Sequence, residues 1–161
     1  MNVAVSRRTA ATHLREMTLL DLPATRTDQS LVIRTDFTDD RAWADLRAAM
    51  RDPAPVDGDR SAVEVIDDPA YTGLLPDDLI APGFARNDHT HVFLVDSVTM
   101  TDPEHPVLVV DLWEDPGRTF RVVPEQFSSV ETTLSDSHVD FSDVADNASP
   151  DGVFRGFADD L

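Results

Sequence analysis

Five apolar runs rich in β-branched residues punctuate this chain, and the spacing between them changes character halfway along. Leu31 to Phe37 and Val63 to Ile66 are separated by a gap long enough for a helix. His91 to Met100, Val107 to Glu114 and Thr119 to Val123 are separated only by Asp-Pro-Glu-His-Pro and Asp-Pro-Gly. A long gap between strands permits a crossover and hence parallel pairing, whereas a short Pro/Gly turn makes antiparallel neighbours. The chain is thereby constrained to an α/β (α+β mixed) architecture: a β-α-β unit, then an antiparallel three-strand meander, in one five-stranded mixed sheet with helices packed on it.

The helical segments follow from their own signals. Thr38-Asp39-Asp40 opens a helix with acids in its first turn, and Ala42, Trp43, Leu46, Ala49 and Met50 give it one apolar stripe that ends before Pro53 and Pro55. Asp68-Pro69 reads as a cap over a short turn through Tyr71, and a second short helix runs from Pro76 to Ala81. Pro124 opens a helix with Phe127, Val130 and Leu134 on one side, and Asp140 caps a last one carrying Phe141, Val144 and Ala145. The apolar piece Val153 to Phe157 is expected to dock onto the body. Residues 1–29, with four arginines and three acids, read as a flexible tail before a single domain spanning 30–161, and Met17 is an alternative translation start.

Of 161 residues, 31 are acidic and 13 basic, a formal charge of −18, and every basic residue is arginine. Such a chain repels phosphates and anionic membrane faces, so direct nucleic-acid and membrane binding are not expected. The acidity has three readings: solubility and genome composition, a salt-adapted cytoplasm, or a surface that engages a basic protein partner or imitates a polyanion. Absence of cysteine excludes disulfides, thiolate metal sites and a cysteine nucleophile. No apolar run reaches the 18 residues of a membrane span and no secretory apolar core follows Arg7 and Arg8, so a cytoplasmic protein is expected.

Chemistry can be argued from one constellation, the aspartates on or near the ends of the apolar runs: Asp36, Asp67, Asp68, Asp96 and Asp111. Asp36 shares a face with Arg34 and reads as its ion-pair partner or as a helix cap, and Asp68 reads as a cap. A symmetric hairpin around Thr101 to Pro106 places Asp96 directly opposite Asp111, and two carboxylates about 5 Å apart on a half-buried sheet need compensation. Arg121 supplies it if the turn at Asp115 to Gly117 has three residues, and faces Leu112 if the turn has two. Arg34 is a second cation if the first strand lies beside the third. The candidate binding set is therefore Arg34, Asp36, Asp96, Asp111 and Arg121, with no catalytic residue assigned. A divalent ion on Asp36, Asp96 and Asp111 is the alternative, and all-oxygen ligation would select magnesium or calcium and phosphate chemistry. No phosphate-cradling glycine loop or lysine accompanies them, and none of these aspartates stands in a DxD pattern.

The histidines add little: the i, i+2 spacing of His89 and His91 can serve a metal on one sheet face, but the pair reads as an exposed loop and strand entry, with His105 in a Pro-flanked turn and His138 in a polar connection. No serine stands in a GxSxG elbow. The segments RTDFTDDRAW, VIDDPAYTGL, VFLVDSVTM, DPEHPVLVVDLWEDPGRTFRVVP, SVETTLSDSHVDFSDVAD and DGVFRGF together resemble a family of small bacterial proteins classed as a domain of unknown function. The resemblance covers roughly residues 30–157, and it implies an α/β cytoplasmic domain without implying an activity. The expectation is a non-enzymatic acidic protein that binds another macromolecule, as a regulator or a toxin-neutralising partner would. The rivals are a metal-dependent enzyme or sensor, and a subunit whose Phe154 and Phe157 form a homodimer contact.

Overall fold

A computed structural model describes residue 22 and residues 30–51, 63–84, 89–135 and 139–156. Strand β1 (Ser30–Arg34) is followed by helix α1 (Asp40–Arg51), β2 (Val63–Ile66), a single 3₁₀ turn (Pro69–Tyr71) and α2 (Pro76–Leu79). Then come β3 (His91–Val95), α3 (Ser97–Thr101), β4 (Val107–Asp111) and β5 (Thr119–Val122). Helices α4 (Pro124–Ser135) and α5 (Phe141–Ala145) lead to β6 (Val153–Phe154).

The sheet is mixed, in the order β2-β1-β3-β4-β5-β6. Strand β1 runs parallel to both β2 and β3, while β3, β4 and β5 form the expected antiparallel meander. The strand count is a correction: the sheet has six strands, because Val153–Phe154 pairs with Arg121–Val122 in parallel instead of merely docking. Two residues carry no readable period, and covering an open edge is a tertiary event. Phe154 is consequently buried in the sheet and cannot serve the homodimer contact; Phe157 lies outside the described residues.

Strands β1, β3 and β4 are buried along their whole length, which is why their sequences read as continuous apolar runs without alternation. On one face Val32, Phe93, Val95, Val107 and Val109 pack under Trp43 and Leu46 of α1, Phe127 and Val130 of α4, and Phe141 and Val144 of α5. The Phe93 and Phe127 rings meet edge to face at 4.7 Å. On the other face Leu31, Ile33, Val92, Leu94, Leu108 and Val110 lie under Tyr71, Leu74 and Leu79. Leu22, within the segment expected to be a flexible tail, is also part of that second core; residues 1–21 and 23–29 lie outside the described residues.

Three strands stop three or more residues earlier than expected, and an aspartate stops each of them. Beyond β1, the Asp36 Oδ1 accepts from the Thr38 N–H at 2.8 Å and hydroxyl at 2.6 Å, a local turn that competes with the ladder. Beyond β3, Asp96 is the N-cap of α3 and accepts from the Thr99 N–H at 3.1 Å. At the end of β4, Asp111 accepts from the N–H groups of Trp113, Glu114 and Asp115 and curls the chain away from the sheet. Asp39 and Asp68 cap α1 and the 3₁₀ turn in the same way.

Candidate functional site

Strand order places β1 between β2 and β3, so the chain leaves β1 to one side and returns on the other. In open α/β sheets, the crevice beyond the carboxyl ends of such strands is where ligands bind. Here that crevice lies beyond Arg34 of β1 and Val95 of β3, which are register partners. Asp36 and Asp96, two of the residues singled out in the sequence, lie just past these ends.

The groups around this crevice are engaged with one another. The Arg34 side chain is only 5% exposed and donates to Asp40 at 2.6 Å and Asp67 at 3.3 Å. It also donates through Nε to the Asp36 carbonyl at 3.0 Å, and its guanidinium lies 4.4 Å from the Phe37 ring centre and 5.1 Å from that of Trp43. The Trp43 indole N–H in turn donates to Asp67 at 3.2 Å. Arg34 thus ties the ends of β1 and β2 to α1, and its ion-pair partners are Asp40 and Asp67. The Asp36 carboxylate is occupied by Thr38 in a local turn; it neither pairs with Arg34 nor caps α1, whose cap is Asp39.

Asp96 and Arg121 form a two-pronged pair, with Nη1 to Oδ1 at 3.0 Å and Nη2 to Oδ2 at 2.8 Å. The guanidinium also donates to the Pro106 carbonyl at 3.1 Å, fixing the connection between α3 and β4. Burial pushes the Asp96 carboxyl up, but hydrogen bonds from Arg121 and Thr99 outweigh it and hold the group below the usual carboxylate range.

The expected confrontation of Asp96 with Asp111 does not exist. Because α3 replaces the far half of the expected third strand, His91 is the residue opposite Asp111. Asp96 lies five residues further along, roughly 16 Å away at the usual rise per strand residue. Neither proposed turn register holds, since Arg121 faces Leu108 and neither Asp111 nor Leu112. Asp36, Asp96 and Asp111 therefore do not converge, and among the described residues no group of three or more histidine, aspartate or glutamate side chains is placed to hold a metal ion.

At the opposite end of the sheet lies a buried polar cluster that sequence reasoning missed. His91, expected at an exposed strand entry, is only 7% exposed, and its Nε2 is 3.1 Å from the Ser30 Oγ. Ser30 donates its single proton to Glu131 Oε2 at 2.9 Å, and Ser135 donates to the same oxygen at 2.9 Å. His91 must then donate Nε2–H to Ser30, leaving Nδ1 to accept from the Thr90 hydroxyl at 3.1 Å. Burial, together with His89 and against the pull of Asp111, lowers the His91 pKa to about 4. Burial raises that of Glu131 against the hydrogen bonds from Ser30 and Ser135. A serine beside an imidazole has the spacing of a nucleophile and its base. Here the hydroxyl proton points to Glu131 and all three residues are buried, so the cluster serves as a polar tie between β1, β3 and α4. Glu131 was legible in part: it falls on the apolar stripe of Phe127, Val130 and Leu134, where a carboxylate needs buried partners.

Asp111 is 2% exposed, and its charge is met by the N–H groups of Trp113 at 2.9 Å, Glu114 at 3.1 Å and Asp115 at 2.7 Å. The loop it organises is closed by Gly117 N–H to the Asp111 carbonyl and by Leu112 N–H to the Thr90 carbonyl, with Leu112 buried. Trp113, expected on a strand, stands on this loop and is 76% exposed, the most exposed large apolar side chain among the described residues.

The fold and its sites define an α/β domain whose sheet-end carboxylates are spent on the protein's own backbone and arginines. The family model described as Domain of unknown function (DUF6924) matches residues 29–157, and the chain belongs to that family. No curated protein matches it. Among the described residues no helix is long and apolar enough to cross a membrane.

Proposed function

We propose that this protein acts without catalysis, by binding a basic protein partner in the cytoplasm, in the manner of a regulator or a toxin-neutralising protein. The observation that supports this most directly is how the few cations are used. Arg34, Arg118, Arg121 and Arg155 are each engaged in ion pairs within the fold. These pairs use up carboxylates with the arginines, and with 31 acids against 13 arginines in the whole chain a large anionic surplus is left for the surface. Such a surface accelerates encounter with a cationic partner and turns away nucleic acid.

The test is recovery of a partner from the native host at low salt, followed by reconstitution from the two purified proteins. A basic protein whose affinity falls steeply as salt rises is the expected result. Capture at low salt that returns no basic partner would count against the reading.

A further inference from the structure

We infer that the loop Leu112 to Arg118 is the docking element for that partner, with Trp113 as an anchor that receives an arginine or lysine side chain on its ring face. This rests on the function just proposed and adds the place and the chemistry of contact. A tryptophan exposed to 76% keeps a large apolar surface in water, and tryptophan is the residue type most often found at the centre of binding hot spots. Chains tolerate such exposure singly, so exposure is not the whole argument.

The second observation is that the loop is rigid before any partner arrives. The buried Asp111 carboxylate holds the N–H groups of residues 113 to 115, and the Gly117 N–H returns to the Asp111 carbonyl at 2.8 Å. From outside, Glu114 accepts from the Ser142 N–H at 3.3 Å and hydroxyl at 3.1 Å, which clasps the loop to α5. A side chain displayed on a fixed backbone loses little freedom on binding, the condition under which one aromatic residue contributes most to affinity.

The third is charge. Glu114 and Asp115 follow Trp113 directly, and Asp143 lies next to the Ser142 that holds Glu114. The only arginine of the loop, Arg118, is neutralised by Asp146 at 2.6 Å. An aromatic face in such surroundings attracts a cation and repels an anion, and the indole is the best of the aromatic faces for such a pairing, most often with a guanidinium. The occupant is therefore an arginine- or lysine-bearing segment of a protein, which fits neither a nucleic acid nor an anionic lipid surface.

The experiment titrates the full chain into a fluorescein-labelled peptide of alternating arginine and glycine, followed by anisotropy at about 0.15 M salt, where diffuse attraction is largely screened. The counterpart peptide carries citrulline, which keeps the shape and removes the charge. Binding of the arginine peptide, its loss with citrulline, and about tenfold or greater weakening in Trp113→Ala with a smaller loss in Trp113→Phe are expected. An unchanged circular dichroism spectrum and thermal midpoint show that Trp113→Ala is folded. Equal binding by Trp113→Ala and the parent overturns the loop assignment and leaves the basic-partner reading standing. Absence of binding by the parent chain overturns both, because the proposed function predicts affinity for cationic segments wherever they dock.

Discussion

Acidification should destabilise this protein well before its carboxylates protonate, and His91 should be the cause. In the unfolded chain its imidazole titrates near 6.5; in the folded chain burial lowers the value to about 4. Between these two values the unfolded state binds a proton that the folded state refuses, so stability rises with pH across the window and falls as the solution is acidified. The full difference corresponds to about 3 kcal/mol, of which about 2 kcal/mol is already lost between pH 7.5 and pH 5. The upper part of this window lies above the sequence pI of 4.3, which keeps the experiment clear of isoelectric precipitation. Glu131 acts in the opposite sense, since a raised carboxyl loses stability as pH rises through its folded value. The isolating comparison is therefore His91→Gln, which keeps a donor for Ser30 and removes only the titration. Urea unfolding of both proteins at the two pH values gives the answer. The parent should lose about 2 kcal/mol more than the variant. Parallel losses in the two proteins would refute the argument, because they would mean that the imidazole accepts its proton inside the fold without penalty.

Other perturbations follow from the same contacts. Asp111→Ala leaves three backbone N–H groups without their acceptor and should cost about 2–3 kcal/mol, with faster amide exchange at residues 113–115 as its specific mark. Arg121→Ala strips the half-buried Asp96 of both guanidinium bonds and should cost about 1–3 kcal/mol in urea unfolding near neutral pH. The stabilising contribution of Asp96 is present above its ordinary value of 3.8 and is lost as pH falls through its lowered folded value, so the same variant should show a shallower acid limb. Phe93→Ala opens a cavity between β3 and α4 and should cost about 3–5 kcal/mol, read as a fall in the urea midpoint with an unchanged slope.

The parts of the fold that local chemistry specifies were legible. Val63–Ile66, the 3₁₀ turn behind Asp68, the helix opened by Pro124 and the order of parallel and antiparallel strands all follow from turn residues, caps and connection lengths. The error lay in strand length, because an aspartate after a β-branched run can continue a strand or end it. Val98, Thr99 and Met100 continue the apolar pattern of β3, and only the reciprocal Asp96–Thr99 cap turns them into a helix. That choice moved the register by five residues and separated Asp96 from Asp111. The cluster of Ser30, His91 and Glu131 was out of reach for a different reason. Its members are brought together from β1, β3 and α4, and no local pattern encodes that approach.

The same reasoning bears on what kind of function the sheet leaves room for. A carboxylate that accepts three backbone N–H groups, or that is gripped by two prongs of a guanidinium, is already satisfied and gains little from an ion or a substrate. Asp111 and Asp96 meet that description through the 113–115 amides and Arg121, while one oxygen of Asp36 accepts from the Thr38 N–H and hydroxyl. Arg121 is thereby committed to the fold, and the 13 arginines of the chain, with no lysine beside them, offset fewer than half of its 31 acids. Each internal ion pair uses up a carboxylate together with its arginine, so the excess of acids over arginines is left to the exterior. The buried Asp111 also joins the two, since the bonds by which it ends β4 are those that fix Trp113 in water.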